Sequence, residues 1–294
     1  MIPSDRWVIH SATTSDSETL SKLLDEAQYL HQHLDWLDSS AFLGQDPFLF
    51  VYDGSEPIAC LASPLNLEKN AWIRVFAVTV KYNPERIWNH VFDAVFKRLE
   101  ENGCKRVAAL VISPWFEPLL LHAGFEEINA VIFFEWLATS QPKPVSAPGT
   151  IRGMRSSDIE AIIDLDHRAF SGIWSNPREE LLEAFKQATL CTVLEKDQRL
   201  LGYQISTAST WGAHLARLAV DPEWQGKGVG NAIVTDLMRQ VRKRGYYRLT
   251  VNTQEDNTRS HRLYRRLGFM TTGDRYPVLE RQLEANRGSK DTLR

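Results

Sequence analysis

Cysteine is scarce: Cys60, Cys104 and Cys191 are three in 294 residues, odd in number and far apart. That excludes a disulfide framework and any paired Cys metal motif. No run of about 18 apolar residues occurs, so no membrane-spanning helix is expected. The opening MIPSDRWVIHSATTSDS also lacks an apolar core of signal-peptide length. Excess charge is missing too, since 34 Lys and Arg stand against 37 Asp and Glu for a net −3. Nothing here would draw the chain to nucleic acid or an anionic membrane. There is no G-x-S-x-G elbow and no covalent Cys nucleophile is specified. His31 and His33 flank one residue, which on a helix turns them to different faces, so no metal is expected. These absences lead to the expectation of a cytoplasmic protein without metal, membrane or nucleic-acid partner. Oligomeric state stays open.

What is present divides in two. The length suits two ordinary domains, each able to bury a core. ATSQPKPVSAPG at 138–149 concentrates Pro, Ser and Gly between apolar-rich segments and reads as a linker. The segments on either side share one plan. Residues 7–27 and 149–169 each read as a strand, a polar Ser-Asp turn and an amphipathic helix. Residues 48–61 resemble 191–204, two strands around a turn. Ala77-Val78 falls on Ala219-Val220 and Gly103 on Gly245 at one constant offset, and HAGFEE (122–127) then matches RLGFMT (266–271). Two copies of one α/β domain are the economical reading, over 1–137 and 150–280, followed by a charged tail at 281–294.

The second copy carries the informative stretch, QGKGVG at 225–230. LARLAV (215–220) precedes it as a strand. Ile233, Val234, Leu237, Met238 and Val241 follow at helical spacing, and Arg242, Lys243, Arg244 and Gly245 close the helix. Gly226, Gly228 and Gly230 thus sit at a strand-to-helix turn, where bare N–H groups and the helix dipole favour a phosphate. A P-loop would need Lys followed by Ser or Thr after the second Gly, and a dinucleotide fingerprint would need Gly in place of Asn231. Downstream, YYRLTVN (246–252) alternates as a strand, with Tyr247, Leu249 and Val251 on one face. Then NTRSHRLYRRLGF (257–269) reads as a helix with Asn257 at its N-cap, Leu263, Tyr264 and Leu267 on one face, and Gly268 at its end.

The Q-x-x-G-x-G loop and the Asn–Tyr–Gly-Phe helix together resemble the Gcn5-related N-acetyltransferases, across about 150–280. The resemblance implies two tandem domains of that α/β (α+β) type, each a mixed, mostly antiparallel sheet flanked by helices. It implies acetyl-CoA as acyl-donor cosubstrate, with its diphosphate on Gln225, Gly226, Lys227, Gly228, Val229 and Gly230. Its pantetheine arm would run along Leu218, Ala219 and Val220, with further coenzyme contacts at Asn257 and Ser260. Tyr264 takes the family's place for the hydroxyl that protonates the leaving thiolate. Where related protein N-terminal acetyltransferases carry a Glu, this chain has Asn252, which cannot serve as base. His214 stands where histone-type relatives carry a catalytic Glu, and its imidazole is suited to take the amine proton.

At the same offset the first copy presents Asn83, Pro84, Arg86 and Trp88 in place of Gln225, Gly226, Gly228 and Gly230, and further on, past a two-residue insertion, Leu120 stands in place of Tyr264. It reads as a degenerate copy that cannot cradle a diphosphate in the same way. Substrate-side candidates are Phe170 and Trp174 in DLDHRAFSGIWSNP (164–177), where Asp164 and Asp166 would add charge for a cationic amine, and Tyr276 in TTGDRYPV (271–278). Arg259, Arg262, Arg265, Arg266 and His261 form a basic helix face from which one arginine could meet the coenzyme's 3′-phosphate. The expected activity is transfer of acetyl to a primary amine. The acceptor is a peptide α-amine, by likeness to ribosomal-protein N-terminal acetyltransferases, or a small amine, by likeness to mycothiol synthases. An acyl-CoA-binding sensor without turnover is the alternative.

Overall fold

The computed structural model describes residues 6–34, 36–66, 68–139 and 142–283. The chain forms β1 (Trp7–Ser11), α1 (Ser17–Glu26), β2 (Ala27–Gln32), β3 (Phe48–Asp53), β4 (Glu56–Ala62), β5 (Asn70–Trp72), β6 (Val75–Thr79), α2 (Pro84–Glu101), β7 (Arg106–Leu110), α3 (Glu117–His122) and β8 (Glu126–Leu137). There follow β9 (Thr150–Gly153), α4 (Ile159–Ala169), α5 (Arg178–Gln187), β10 (Leu190–Lys196), β11 (Arg199–Ser209), β12 (Gly212–Val220), α6 (Val229–Lys243), β13 (Arg248–Gln254), α7 (Thr258–Arg266) and β14 (Met270–Gln282).

Two compact units emerge: residues 1–128 with 277–294, and residues 129–276. The linker reading put 126–137 with the first copy, but residues 131–137 of β8 pair antiparallel with β13. Conversely, Val278–Gln282 of β14 pair with β7 in the first unit. Each repeat thus takes one strand from the chain beyond its own sequence block. Of the tail at 281–294, Arg281 and Gln282 belong to β14, and 284–294 lie outside the described residues.

In the first unit five antiparallel strands run in the order β1-β3-β4-β6-β2. Leu20 and Leu23 of α1 pack with Phe48 and Phe50, while Ile87, Val91, Val95 and Leu99 of α2 pack with Leu49, Val51 and Phe76. His31 lies on a strand rather than a helix. It is buried, its Nε2 lies 3.2 Å from the Ile73 carbonyl, and burial pushes its pKa down to about 4. Among the described residues no cluster could hold a metal, and no helix is long and apolar enough to cross a membrane.

The second unit orders its strands β14-β8-β13-β12-β11-β10-β9. The β12–β13 pair is parallel, while β9–β10, β10–β11, β11–β12 and β13–β8 are antiparallel. Helices cover both faces. A Cβ on Gly202 would meet Val229 and Ile233 of α6, whereas the next side chain, Tyr203, bonds Asp166 of α4. Adjacent strand residues point to opposite faces, so α6 and α4 flank the sheet. Leu237, Met238 and Val241 of α6 bury against Leu215, Leu249 and Val251, each such side chain contributing about 1.5–3 kcal/mol. Tyr247, expected on this buried face, precedes β13 and is 54% exposed.

Candidate active site

The site begins where two parallel strands part. Ala213, His214 and Leu215 of β12 pair with Leu249, Thr250 and Val251 of β13, and there the register ends. On the other edge of β12, Ser206 pairs with Leu215 but Ile205 with Arg217, leaving Ala216 as the extra residue of a bulge. A bulge bends its strand, so Arg217–Val220 continue with a partner on one side only. The Asp221 amide donates to the Leu201 carbonyl toward β11. By backbone alternation the amides and carbonyls of Leu218 and Val220 then face the gap. They offer a strand edge to an extended ligand, although the Val220 carbonyl already accepts from the Gln225 side-chain amide at 3.2 Å, while the Ala219 carbonyl points to Gly202.

Beyond β12 the chain turns through a short 3-10 segment, Pro222–Trp224, whose N-cap Asp221 accepts from the Glu223 amide at 3.0 Å. Asp221 is 1% exposed. Burial would raise its carboxyl, but Arg199 at 2.9 Å and Arg168 at 3.2 Å hold it below its ordinary value. Gly226 (φ 78°) and Gly228 (φ 89°) take the left-handed backbone that favours glycine. Gly228 is the N-cap of α6 and supplies no side chain to cap it, so the first-turn amides are left for a ligand. Gly230 serves differently, because a Cβ there would stand 3.4 Å from Leu263 and 3.6 Å from Val220. In the first unit the equivalent helix, α2, starts on Asn83, whose side chain accepts from the Arg86 amide at 3.0 Å. That helix end is satisfied from within.

A cavity of about 820 Å³ opens over this turn. Leu218, Ala219, Val220, Gln225, Gly226, Gly228, Gly230, Asn257 and Ser260 line it, so most of the expected coenzyme positions converge. Lys227 and Val229 do not line it. Val229, the first residue of α6, is buried with Leu194 and Leu201, and Lys227 lies over the Trp224 ring. Asn257 caps α7 through the Ser260 amide at 3.1 Å. Of the basic face, Arg259, Arg262 and Arg266 reach the cavity, and Arg259 bonds the Gln225 side chain. His261 turns inward to the Gln254 carbonyl and the Phe134 ring.

Tyr264 is buried among Leu215, Leu249, Phe134 and Phe269 and is not on the cavity wall. Burial raises its phenol above the ordinary value, and among the described residues nothing hydrogen-bonds its hydroxyl. His214 lies on the opposite face of the sheet. Its Nδ1 is 2.8 Å from Thr250 Oγ1, and burial lowers its pKa against a smaller, opposing hydrogen bond with Asn252. The Phe133 ring of β8 is 6.5 Å from that imidazole and packs edge-on against Tyr276 at 5.6 Å. His214 also lines a separate 360 Å³ hollow with Thr207, Ser209, Trp211, Arg248 and Thr250.

Phe170 lines the same cavity, and the Arg217 guanidinium carbon lies over its ring, 3.6 Å from the centroid. Trp174 gives its backbone carbonyl to Arg217 at 3.0 Å. Asp166, expected to offer charge to a cationic amine, is fully buried. It is bound at both oxygens by Arg217, at 2.8 and 2.7 Å, and also by the Tyr203 hydroxyl. Its charge is spent inside the protein. Glu255 is likewise taken by Arg275 at 2.8 Å, and Glu135 by Arg248 at 2.9 Å. Sequence reasoning missed Arg217 and Phe133. The only sign of Arg217 was a cation amid the apolar residues of LARLAV, and Phe133 was read as part of the other copy.

Fold and site together present an open strand edge that runs into a helix start without a side-chain cap, at a strand-to-helix junction. Residues 159–269, under half of the chain, match the acetyltransferase (GNAT) family, and this part of the chain is similar to N-acetyltransferases of that family. Members of the family use acetyl-CoA as cosubstrate and an amine as acceptor. The [ribosomal protein bS18]-alanine N-acetyltransferase of Escherichia coli K12 is 27% identical over 120 residues, 41% of this chain and 80% of that protein. The mycothiol acetyltransferase of Saccharopolyspora erythraea is 29% identical over 133 residues, 42% of this chain and 44% of that protein. Among solved structures, a tandem GNAT protein from the clavulanic acid biosynthesis pathway aligns with TM-score 0.64 at 14% identity. It covers 94% of this chain and 98% of its own, a likeness of fold.

Proposed function

We propose that the second unit carries acetyl from acetyl-CoA to the α-amine of a polypeptide, and that the first unit no longer binds coenzyme. The observation that carries the coenzyme reading is the open edge of β12 running directly into an uncapped helix start. The diphosphate would lie on the amides of Gly228–Asn231, with the 3′-phosphate toward Arg259, Arg262 or Arg266. The pantetheine arm would bond Leu218 and Val220 in the gap left by β13. The satisfied Asn83 cap and the fully buried Trp88 support the loss of such a site from the first unit.

In the reaction the amine nitrogen attacks the thioester carbonyl, the C–S bond breaks, and the electron pair leaves on sulfur. Tyr264 donates a hydrogen bond to that thiolate. A phenol raised above its usual value of about 10 gives up a proton to a thiolate of about 8.5 only uphill, so hydrogen bonding carries its contribution. His214, neutral at pH 7 because burial lowers its pKa, takes the amine proton directly or through a water. Such a weak base suits a weakly basic amine. Neutralising a lysine amine at pH 7 costs about 4–5 kcal/mol, an α-amine only about 1. The ion-paired Asp166, Glu255 and Glu135 support the same choice, since a polycation would find no free partner in them. Thiol release from acetyl-CoA, measured with peptides of free N-terminus, polyamines and amino sugars, tests the reading. Turnover with peptides is expected. Coenzyme binding with no turnover on any amine would leave the sensor alternative standing.

A further inference from the structure

Arg217 holds three separate pieces of the wall beside the parted strands. Its fork binds both oxygens of Asp166 on α4, its Nη2 also reaches the Trp174 carbonyl at 3.0 Å, and its guanidinium carbon lies over the Phe170 ring, 3.6 Å from the centroid. The pair is deeply set, with Asp166 0% and Arg217 13% exposed at the side chain, and the Tyr203 hydroxyl completes the carboxylate's partners. Apolar side chains could fill such a site at equal or better stability, so stability alone does not call for the ion pair. What the fork supplies is direction: planar, two-pronged bonding fixes angle as well as distance. Its position is also telling. Arg217 is the first residue after the Ala216 bulge, where β12 leaves β13. From there it fixes the segment from the end of α4 to Trp174, of which Phe170 faces the cavity.

We infer that Arg217 is a positioning residue for the acceptor: through Asp166, Phe170 and Trp174 it sets the wall against which the incoming amine is aligned with the thioester. This rests on the acetyl-transfer reading above. Lysine at 217 keeps the charge but loses the fork and the stacked plane. For Arg217→Lys the KM for the acceptor should rise about tenfold or more, because a wall no longer held in place binds the incoming amine less well, with Tm close to wild type. Amide exchange at Phe170 and Trp174, which bond the Asp166 and Ser171 carbonyls, should accelerate while β11 keeps its protection. Because Arg217→Met alone would strand a buried carboxylate, the apolar counterpart is Arg217→Met, Asp166→Leu and Tyr203→Phe together. This variant should fold and show the same rise in acceptor KM. Wild-type acceptor KM in the triple variant, or unchanged exchange at Phe170 and Trp174 in Arg217→Lys, would overturn the inference. If the wild-type protein acetylates no amine, the acetyl-transfer reading fails on that result, and the exchange measurement still decides whether Arg217 orders this wall.

Discussion

Tyr264 and His214 lie on opposite faces of one sheet, and burial acts on both, raising the phenol and lowering the imidazole. Each is thereby kept neutral at pH 7, one as a donor and one as an acceptor. Replacing Tyr264 by Phe keeps the ring among Phe134 and Phe269 and removes only the hydroxyl. A kcat loss of roughly a hundredfold is expected, the scale of losing one hydrogen bond to a developing anion, with coenzyme affinity unchanged in a direct binding titration. The His214 shift has a definite sign. Because its folded value lies below the ordinary 6.5, kcat/KM for the acceptor should hold as pH falls through 6.5 and decline only below it. In His214→Gln that acid limb should vanish along with most of the rate. At this scale the sequence revealed residues whose type alone restricts what they can do. Gly228 is legible because only glycine sits easily at φ 89°. The destiny of Asp166 was not, since its partners Arg217 and Tyr203 are distant in sequence and nothing local announces that its charge is consumed.

Elements were read well where periodicity and caps agree. The helix after the glycine loop runs Val229–Lys243, ending where Arg242, Lys243 and Gly245 signalled, and α7 starts on Asn257 as its capping chemistry requires. What periodicity could not supply was the bulge at Ala216, because an extra residue on one strand is defined only by the strand opposite. Yet that bulge precedes the open edge on which the proposed coenzyme binding depends. The loop itself can be tested apart from the strand. A Cβ at Gly228 meets nothing within 4 Å, so the first side-chain atom of Gly228→Glu has room. The substitution costs about 1–2 kcal/mol in backbone strain and places a carboxylate among amides meant for phosphate. Coenzyme affinity should fall at least about tenfold, with the far-ultraviolet spectrum retained. Affinity equal to wild type in a calorimetric titration would remove the diphosphate from this turn.

At the scale of the whole chain, the repeat was visible but the ownership of its last strands was not. A Pro-rich stretch at 138–149 invites a cut there, and strand pairing says otherwise. Seven residues of β8, Val131–Leu137, pair with Arg248–Gln254 of β13, and Phe134 and Trp136 join the same core as Leu249 and Tyr264. A fragment beginning at residue 142 would expose the full edge of β13 and remove two large aromatic side chains, each worth about 3–5 kcal/mol when lost from a core. Against a typical domain stability of about 5–15 kcal/mol, that is enough to unfold it. The fragment 142–294 is therefore expected to aggregate or show no cooperative transition, because an unpaired apolar strand edge invites association. The fragment 126–294, which restores β8, should melt cooperatively and bind acetyl-CoA. The first unit makes the matching demand, since β7 pairs with Val278–Gln282 and Leu279 is buried opposite Ala109. Residues 1–137 alone should be unstable, and supplying 277–283 as a peptide or fused strand should raise their melting temperature. Cooperative melting and coenzyme binding by 142–294 would show that the second repeat completes its sheet without β8.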